Sequence, residues 1–240
     1  MLWSMTRGNG ADGDGLLTAH LRGWLGAWPP RRPVDVVAAS VRDLPAWDRS
    51  ISPLVGVGTP DRTLLSVTPA RAEHVQRAAG PLDEEGVRKA IVKALGIDGY
   101  VLGRGVFRWS TTVASADVLA DAGEWLDPRD PRVPPWLRPF NYPHVLIAWD
   151  DDGAYGAGVG IKRHDEVGHE LAVVTTEGLR GRGIGRRLVA QAARRILAEG
   201  KLPTYLHGPN NIASARVADA VGFPDHGWSV YGLFPAASVT

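Results

Sequence analysis

Apolar positions along the chain recur with two periods. Helical spacing appears in LLTAHLRGWLGAW (16–28), ARAEHVQRAAG (70–80), LDEEGVRKAIVKALG (82–96), RRLVAQAARRILAEG (186–200) and NIASARVADAVGF (211–223). The fourth stripe is the cleanest, with apolar residues at 188, 189, 192, 193, 196 and 197 and Gly200 as its stop. Asp83 is the expected N-cap and Gly96 the expected end of the helix over 82–96. Strand-like runs fall at 33–41, 63–69, 106–115, 144–150, 154–164, 169–176, 202–208 and 228–234. The turns DDDG (150–153) and DEVG (165–168) separate three of them. From residue 144 the order β-β-β-loop-α-β-α-β predicts an antiparallel meander, whose third strand is followed by a helix that crosses over to the next strand.

Two stretches follow neither period. Residues 1–15, rich in Gly, Asp and Asn, read as a flexible tail. Residues 123–143 hold six prolines and two tryptophans, which rules out a continuous helix or a central strand and suggests a packed connector anchored by Trp125 and Trp136. The expected organisation is a tail with a short helix (1–28), a mixed α/β N-terminal region (29–125) and a C-terminal domain (126–240), of α+β class overall.

Composition narrows the chemistry. At 240 residues, 44% hydrophobic and 22% charged, the chain has the length and content of a globular protein with a real core. A net charge of +1 gives no global field for nucleic acid or membrane, and the absence of cysteine excludes disulfides and thiolate sites. The seven histidines form no HxxxH or HExxH pair, so no metal site is expected. MLWSMTRGNGADGDG carries no apolar core of a secretory signal and no run long enough to span a bilayer is present, so a cytoplasmic location without membrane contact is expected.

The sequence RGRGIGRR (180–187) changes this bland picture. Gly181, Gly183 and Gly185 lie between a predicted strand end and a predicted helix start, where glycine lets the backbone turn its N–H groups outward. A helix N-terminus leaves unpaired N–H groups and about half a positive charge, an anion site suited to phosphate. Arg180, Arg182, Arg186, Arg187, Arg194 and Arg195 lie in a window, 178–197, without one acidic residue, which fits a ligand with several phosphates. No GK[ST] follows, so this is not a P-loop. GAGVG (156–160) lies inside a strand and opens no helix, so its small residues are expected to admit a close neighbour and not to bind a dinucleotide.

The pattern R-x-x-G-x-G (Arg180, Gly183, Gly185), with Asn211, Ser214, Gly222 and Phe223 downstream and the same order of strands and helices, resembles the GNAT superfamily of acyl-CoA N-acyltransferases over about 110 residues. The resemblance implies a GNAT-type fold: a central, mostly antiparallel sheet with flanking helices, splayed at the coenzyme A strand. It implies that Gly181, Arg182, Gly183, Ile184, Gly185 and Arg186 cradle the coenzyme A diphosphate beside Arg180. It further implies that Val173, Val174 and Thr175 pair with pantetheine amides and that Asn211 meets the pantetheine arm or the departing sulfur region. Ser214 either joins the same site or bonds within its own helix. It also raises the arrangement of the glycine N-acyltransferase-like branch, in which a degenerate N-terminal copy precedes an active one.

The implied reaction is transfer of an acyl group, expected to be acetyl from acetyl-CoA, to a primary amine of a small molecule or protein. A lysine-like amine with a pKa of about 10.4 must first lose a proton. In the superfamily the base often lies on the strand before the loop, and the resemblance implies that positions eleven and nine before Arg180, His169 and Leu171, face the acceptor, so His169 is the implied base, with Glu170 the alternative if a bulge intervenes. Where many members carry a tyrosine acid, seven residues after the asparagine, this chain has Ala218; Tyr205 and Tyr231 are the other candidates for that acid, and either can instead be a packed core residue. A catalytically silent acyl-CoA-binding protein is the alternative. No metal is expected to take part, no nucleic-acid partner is expected, and the chain is expected as a monomer or homodimer.

Overall fold

The computed structural model describes residues 9–236. Helices are α1 (Asn9–Leu25), α2 (Pro69–Ala78), α3 (Glu85–Leu95), α4 (Ile184–Ala198) and α5 (Ile212–Val221). Strands are β1 (Val34–Ala38), β2 (Leu54–Gly58), β3 (Thr63–Val67), β4 (Tyr100–Trp109), β5 (Glu124–Leu126), β6 (Val145–Trp149), β7 (Tyr155–Arg163), β8 (Gly168–Thr175), β9 (Leu202–His207) and β10 (Ser229–Pro235). This is the expected α+β class. The tail expected over 1–15 falls partly outside the described residues, and from Asn9 onward it is helix instead. Leu17, Leu21, Trp24 and Leu25 bury one side of that helix, which outweighs the poor helix propensity of its glycines. The strand expected at 106–115 ends at Trp109 and begins six residues earlier, at Tyr100. LVGVG (54–58) forms a strand that its two glycines concealed. The helix at 85–95 has Glu84, not Asp83, at its N-cap, and ends as expected at Gly96 in the left-handed region.

Two compact units share the chain. One, the loop unit, comprises the residues up to His20, 108–206 and 211–224; the second comprises 21–107, 207–210 and 225–240. In the loop unit the strands run β9-β8-β7-β6-β5. β5, β6, β7 and β8 pair antiparallel, giving the expected meander, and β8 pairs parallel with β9 after the α4 crossover. α4 lays Leu188, Val189, Ala192, Ala193 and Ile196 on Ala157, Val159, Ile161 and Leu171, and this is the core of the unit. On the other face of β7, Gly156, Gly158 and Gly160 lie under Leu179, Leu137 and Phe140; a Cβ at Gly160 would stand 2.5 Å from the Phe140 ring. The glycines of GAGVG thus admit the proline-rich connector, which crosses β7 through a 3-10 turn at Pro135–Leu137. Trp125 packs on the core with Arg195 stacked 4.4 Å from its ring, and Trp136 meets Phe140 edge-on.

In the second unit the order is β1-β3-β2-β10-β4, with β1 and β3 parallel and the remaining pairs antiparallel. Ile91, Val92 and Leu95 of α3 pack on Leu54, Leu65, Leu102 and Tyr231. The C-terminal β10 belongs to this unit, between β2 and β4.

Replacing Gly160 with alanine is expected to cost about 1–3 kcal/mol, since the Phe140 ring and the connector behind it must move. Urea unfolding of the two proteins measures the difference, and an unchanged midpoint would remove the connector from the core.

Candidate functional site

β8 leads directly into the glycine-rich turn. After Thr175 the chain makes a 3-10 turn at Glu177–Leu179, passes Gly181 and Gly183, both at φ +77°, and enters α4 at Ile184. Those φ values lie in the left-handed region, where a side chain is strained, so the glycines are required by the turn itself. Gly183 occupies the N-cap and offers no side-chain oxygen to the first helical N–H groups. Gly185 lets the helix approach β8: a Cβ there would lie 3.2 Å from Thr175 Oγ1. The first turn of α4 carries no acidic residue. The first helical N–H groups, at the positive end of a 15-residue helix, therefore have no side-chain cap.

The six arginines divide into two sets. Arg180 and Arg182 stay at the surface, Arg180 donating to Thr175 O and Arg182 lying 3.4 Å from Asp151, while the exposed Arg186 sits beside Gly183. Arg187 instead donates to the carbonyls of Ala120 and Asp121, and Arg194 to those of Ala114 and Leu119 and to Asp121. Arg195 stacks on Trp125 and Tyr142. Three of the six therefore fasten α4 to the segment before β6, though among these three only Arg194 meets a carboxylate of that segment, that of Asp121.

The ladder between β8 and β9 pairs Gly168 with Leu202 through to Leu171 with Tyr205, and there it ends, although β8 runs on to Thr175. On its other edge β8 stays paired with β7 up to Thr175. Along Ala172–Thr175 the edge of β8 opposite β7 thus runs where β9 has left the ladder, and Val173, Val174 and Thr175 all lie in that stretch. At the same end of the ladder Tyr205 Oη sits 2.8 Å from Ser214 Oγ. The Ser214 hydroxyl thus bonds across to β9 and not within its own helix. Burial pushes the Tyr205 phenol above its ordinary pKa. Asn211 caps α5, its side-chain carbonyl accepting the Ser214 N–H. Ala218 is fully buried in the core. Tyr231 lies in the core of the second unit.

His169 and Glu170 lie at the far end of β8, about 20 Å along the strand from Thr175. The β7–β8 register is regular over this stretch, with no bulge to exchange the faces of β8. His169 shares the face of Leu171 and Val173 and is 3% exposed against Tyr142, with no hydrogen-bond partner for either ring nitrogen among the described residues. Burial and then the Arg163 charge push its pKa down to about 4. Glu170 points to the opposite face. Burial raises its pKa, but Lys162 Nζ at 2.5 Å and His164 Nε2 at 2.7 Å outweigh it and hold the carboxyl at about 2. His20 of α1 reaches the same cluster, with Nδ1 2.6 Å from Asp165. Sequence reasoning missed this group of Lys162, His164, Asp165 and His20; the HDE run at the β7–β8 turn was its only signal.

Among the described residues no group of three or more His, Asp or Glu side chains could hold a metal ion, and no helix is long and apolar enough to cross a membrane.

Residues 110–223 match the family described as the Acetyltransferase (GNAT) family. No curated protein matches the sequence. Similar solved structures include a putative GNAT-family acetyltransferase from Novosphingobium aromaticivorans, 18% identical, TM-score 0.40, covering 57% of this chain and 67% of that one. A GCN5-related N-acetyltransferase-like protein from Streptococcus suis is 13% identical, TM-score 0.49, with 92% of this chain and all of that one covered (100%). A tandem GNAT protein from the clavulanic acid biosynthesis pathway is 14% identical, TM-score 0.44, with 94% of each chain covered.

The depressed His169 pKa has a sign. The unfolded chain takes up a proton near pH 6.5, whereas the folded ring resists it until about pH 4, so acid favours unfolding. Stability is full above pH 6.5 and falls by up to about 3 kcal/mol as pH drops toward 4. His169→Phe is expected to flatten that slope in pH-dependent urea melts. An equal slope in both proteins would mean that His169 titrates freely.

Proposed function

We propose, from the match of residues 110–223 to the GNAT acetyltransferase family, that the protein transfers an acyl group, acetyl being the expected one, from coenzyme A to a primary amine. The observation that supports this most is the β8–β9 ladder ending at Leu171–Tyr205 beside a glycine turn that opens α4. An extended amide-bearing arm can pair with the backbone of Val173, Val174 and Thr175. A diphosphate can meet the N–H groups from Gly181 to Arg186, with Arg180, Arg182 and Arg186 around it.

In the reaction the amine nitrogen attacks the thioester carbonyl, the N–C bond forms, the C–S bond breaks, and the nitrogen's proton leaves while the departing thiolate gains one. Tyr205, hydrogen-bonded to Ser214 where the strands part, is the side chain we assign to protonating the thiolate. The Asn211 carbonyl is used in capping α5, which leaves its amide nitrogen for the pantetheine arm. On the amine side, a His169 held near pKa 4 and a Glu170 held near 2 are poor proton acceptors at neutral pH. The acceptor we favour therefore supplies its own neutral fraction: an α-amine of pKa about 8 is roughly one-tenth neutral at pH 7, whereas a lysine amine of pKa about 10.4 is far less so.

Acetyl-CoA at about 100 times its dissociation constant is expected to add about 2.7 kcal/mol of stability, read as a rise in Tm. The double change Arg182→Glu and Arg186→Glu, on exposed positions, is expected to abolish that rise and leave the ligand-free Tm in place. Absence of any rise in the unaltered protein would remove coenzyme A from the loop.

In an amine panel followed by thiol release, kcat/KM is expected to climb about tenfold per pH unit up to the amine's own pKa, with no inflection near 6.5. Tyr205→Phe is expected to lower kcat by about 10²-fold or more while keeping the acetyl-CoA melt shift. A melt shift without turnover of any amine would favour a silent acyl-CoA-binding protein, the reading that Ala218 supports.

A further inference from the structure

A cavity of about 490 Å³ lies in the second unit, between α3 and β4, well outside residues 110–223. Its size is that of a small-molecule site. Two periodicities build it. On α3, Glu85, Arg88, Lys89 and Val92 follow i, i+3, i+4, i+7 and share one side of the helix. On β4, Tyr100, Leu102 and Arg104 alternate onto the face that α3 covers, where Leu102 joins Val92 in the core. The floor is apolar, and Tyr100, 46% exposed, forms an aromatic rim.

The charges around this apolar floor do not cancel. Lys89 is paired with Glu85 at 2.6 Å. The two guanidinium groups are bound instead by neutral oxygens: Arg88 donates to the carbonyls of Leu82 and Asp83, and Arg104 Nε donates to Ser229 Oγ. Those bonds orient both groups without neutralising them, and Glu85, which pairs with Lys89 and also feels the Arg88 charge, is the one carboxylate in the lining against three cations. A helix wall and a strand wall thus each carry an oriented guanidinium above an apolar floor. That combination suits an anion with a hydrophobic body, since a planar carboxylate matches the guanidinium fork and the body covers Leu102, Val92 and the Tyr100 ring.

We propose that this cavity binds a small amphipathic carboxylate, with an aryl or short alkyl body, between Arg88 and Arg104. The proposal stands apart from acyl transfer, because none of its residues belongs to the family segment. Hexanoate and phenylacetate, with hexanamide and phenylacetamide as uncharged counterparts, are the probes, titrated into the full chain and followed by backbone amide shifts. The carboxylates are expected to move amides of 85–92 and 100–104 with a dissociation constant below about 10 mM, and the amides to bind at least about tenfold more weakly. Arg104→Gln is expected to weaken the carboxylates about tenfold, Arg104→Lys to restore part of the loss, and Tyr100→Ala to weaken phenylacetate more than hexanoate. The amide spectrum of each variant reports its fold directly. No shift up to about 10 mM, equal binding of carboxylate and amide, or shifts lying elsewhere would each overturn the proposal.

Discussion

The parting of β8 from β9 after Leu171–Tyr205 is the constraint on which the candidate site rests. A parallel ladder satisfies backbone groups on both strands, so ending it early leaves donors and acceptors that need another partner. The loss is tolerable because the other edge of β8 is firmly held. Its seven-residue register with β7 continues to Thr175, and β7 is itself backed by α4 on one face and by the connector on the other. The three glycines of β7 therefore matter to a site they do not touch. They let Leu179, Leu137 and Phe140 lie flat on the strand that braces β8.

The same economy shows in the arginines of α4. A helix start with no acidic residue and three surface arginines suits an anion, yet three more arginines on the same helix serve the fold. Position on the helix separates the two sets. Arg180, Arg182 and Arg186 precede or open the first turn, where the N–H groups are unpaired, whereas Arg187, Arg194 and Arg195 are directed at carbonyls, at Asp121 or at aromatic rings. Counting charge in a sequence window cannot make this distinction, because it depends on what segment 114–125 places opposite the helix.

What was legible in the sequence was what periodicity and glycine dictate locally. The meander β6-β7-β8, the α4 crossover and the turn at Gly181–Gly185 all follow from patterns a few residues long. What was not legible depended on distant partners. β2 is a five-residue strand with two glycines and has no amphipathic signature of its own; it exists because β3 and β10 pair with it. The helical character of 9–15 follows from burial of the apolar side of α1 further along. Strand alternation correctly placed His169 and Glu170 on opposite faces, but not what awaits them: Tyr142 against the first, Lys162 and His164 against the second. Ser214 was readable as a helix residue near Asn211, and its partner on β9 was not.

Chain topology adds a last constraint, through β10. The chain leaves the second unit after Phe107, builds most of the loop unit, rejoins the second unit briefly at His207–Asn210, and returns at Asp225 to complete the sheet it left. β10 then pairs along seven residues with β4 and along four with β2. Without that strand, β2 and β4 would each present an open edge, a liability in solution and a loss of the ladder that positions Tyr100, Leu102 and Arg104. The second unit therefore cannot be complete until the segment carrying α4, β9 and α5 has been made, although α4 and the strands it packs on draw their core from residues before 224. A chain ended after Phe223 keeps the whole family segment, and what it loses falls on the second unit. That asymmetry makes the C-terminal strand a structural element of the carboxylate cavity and not of the glycine turn, so the two sites answer to different parts of one chain.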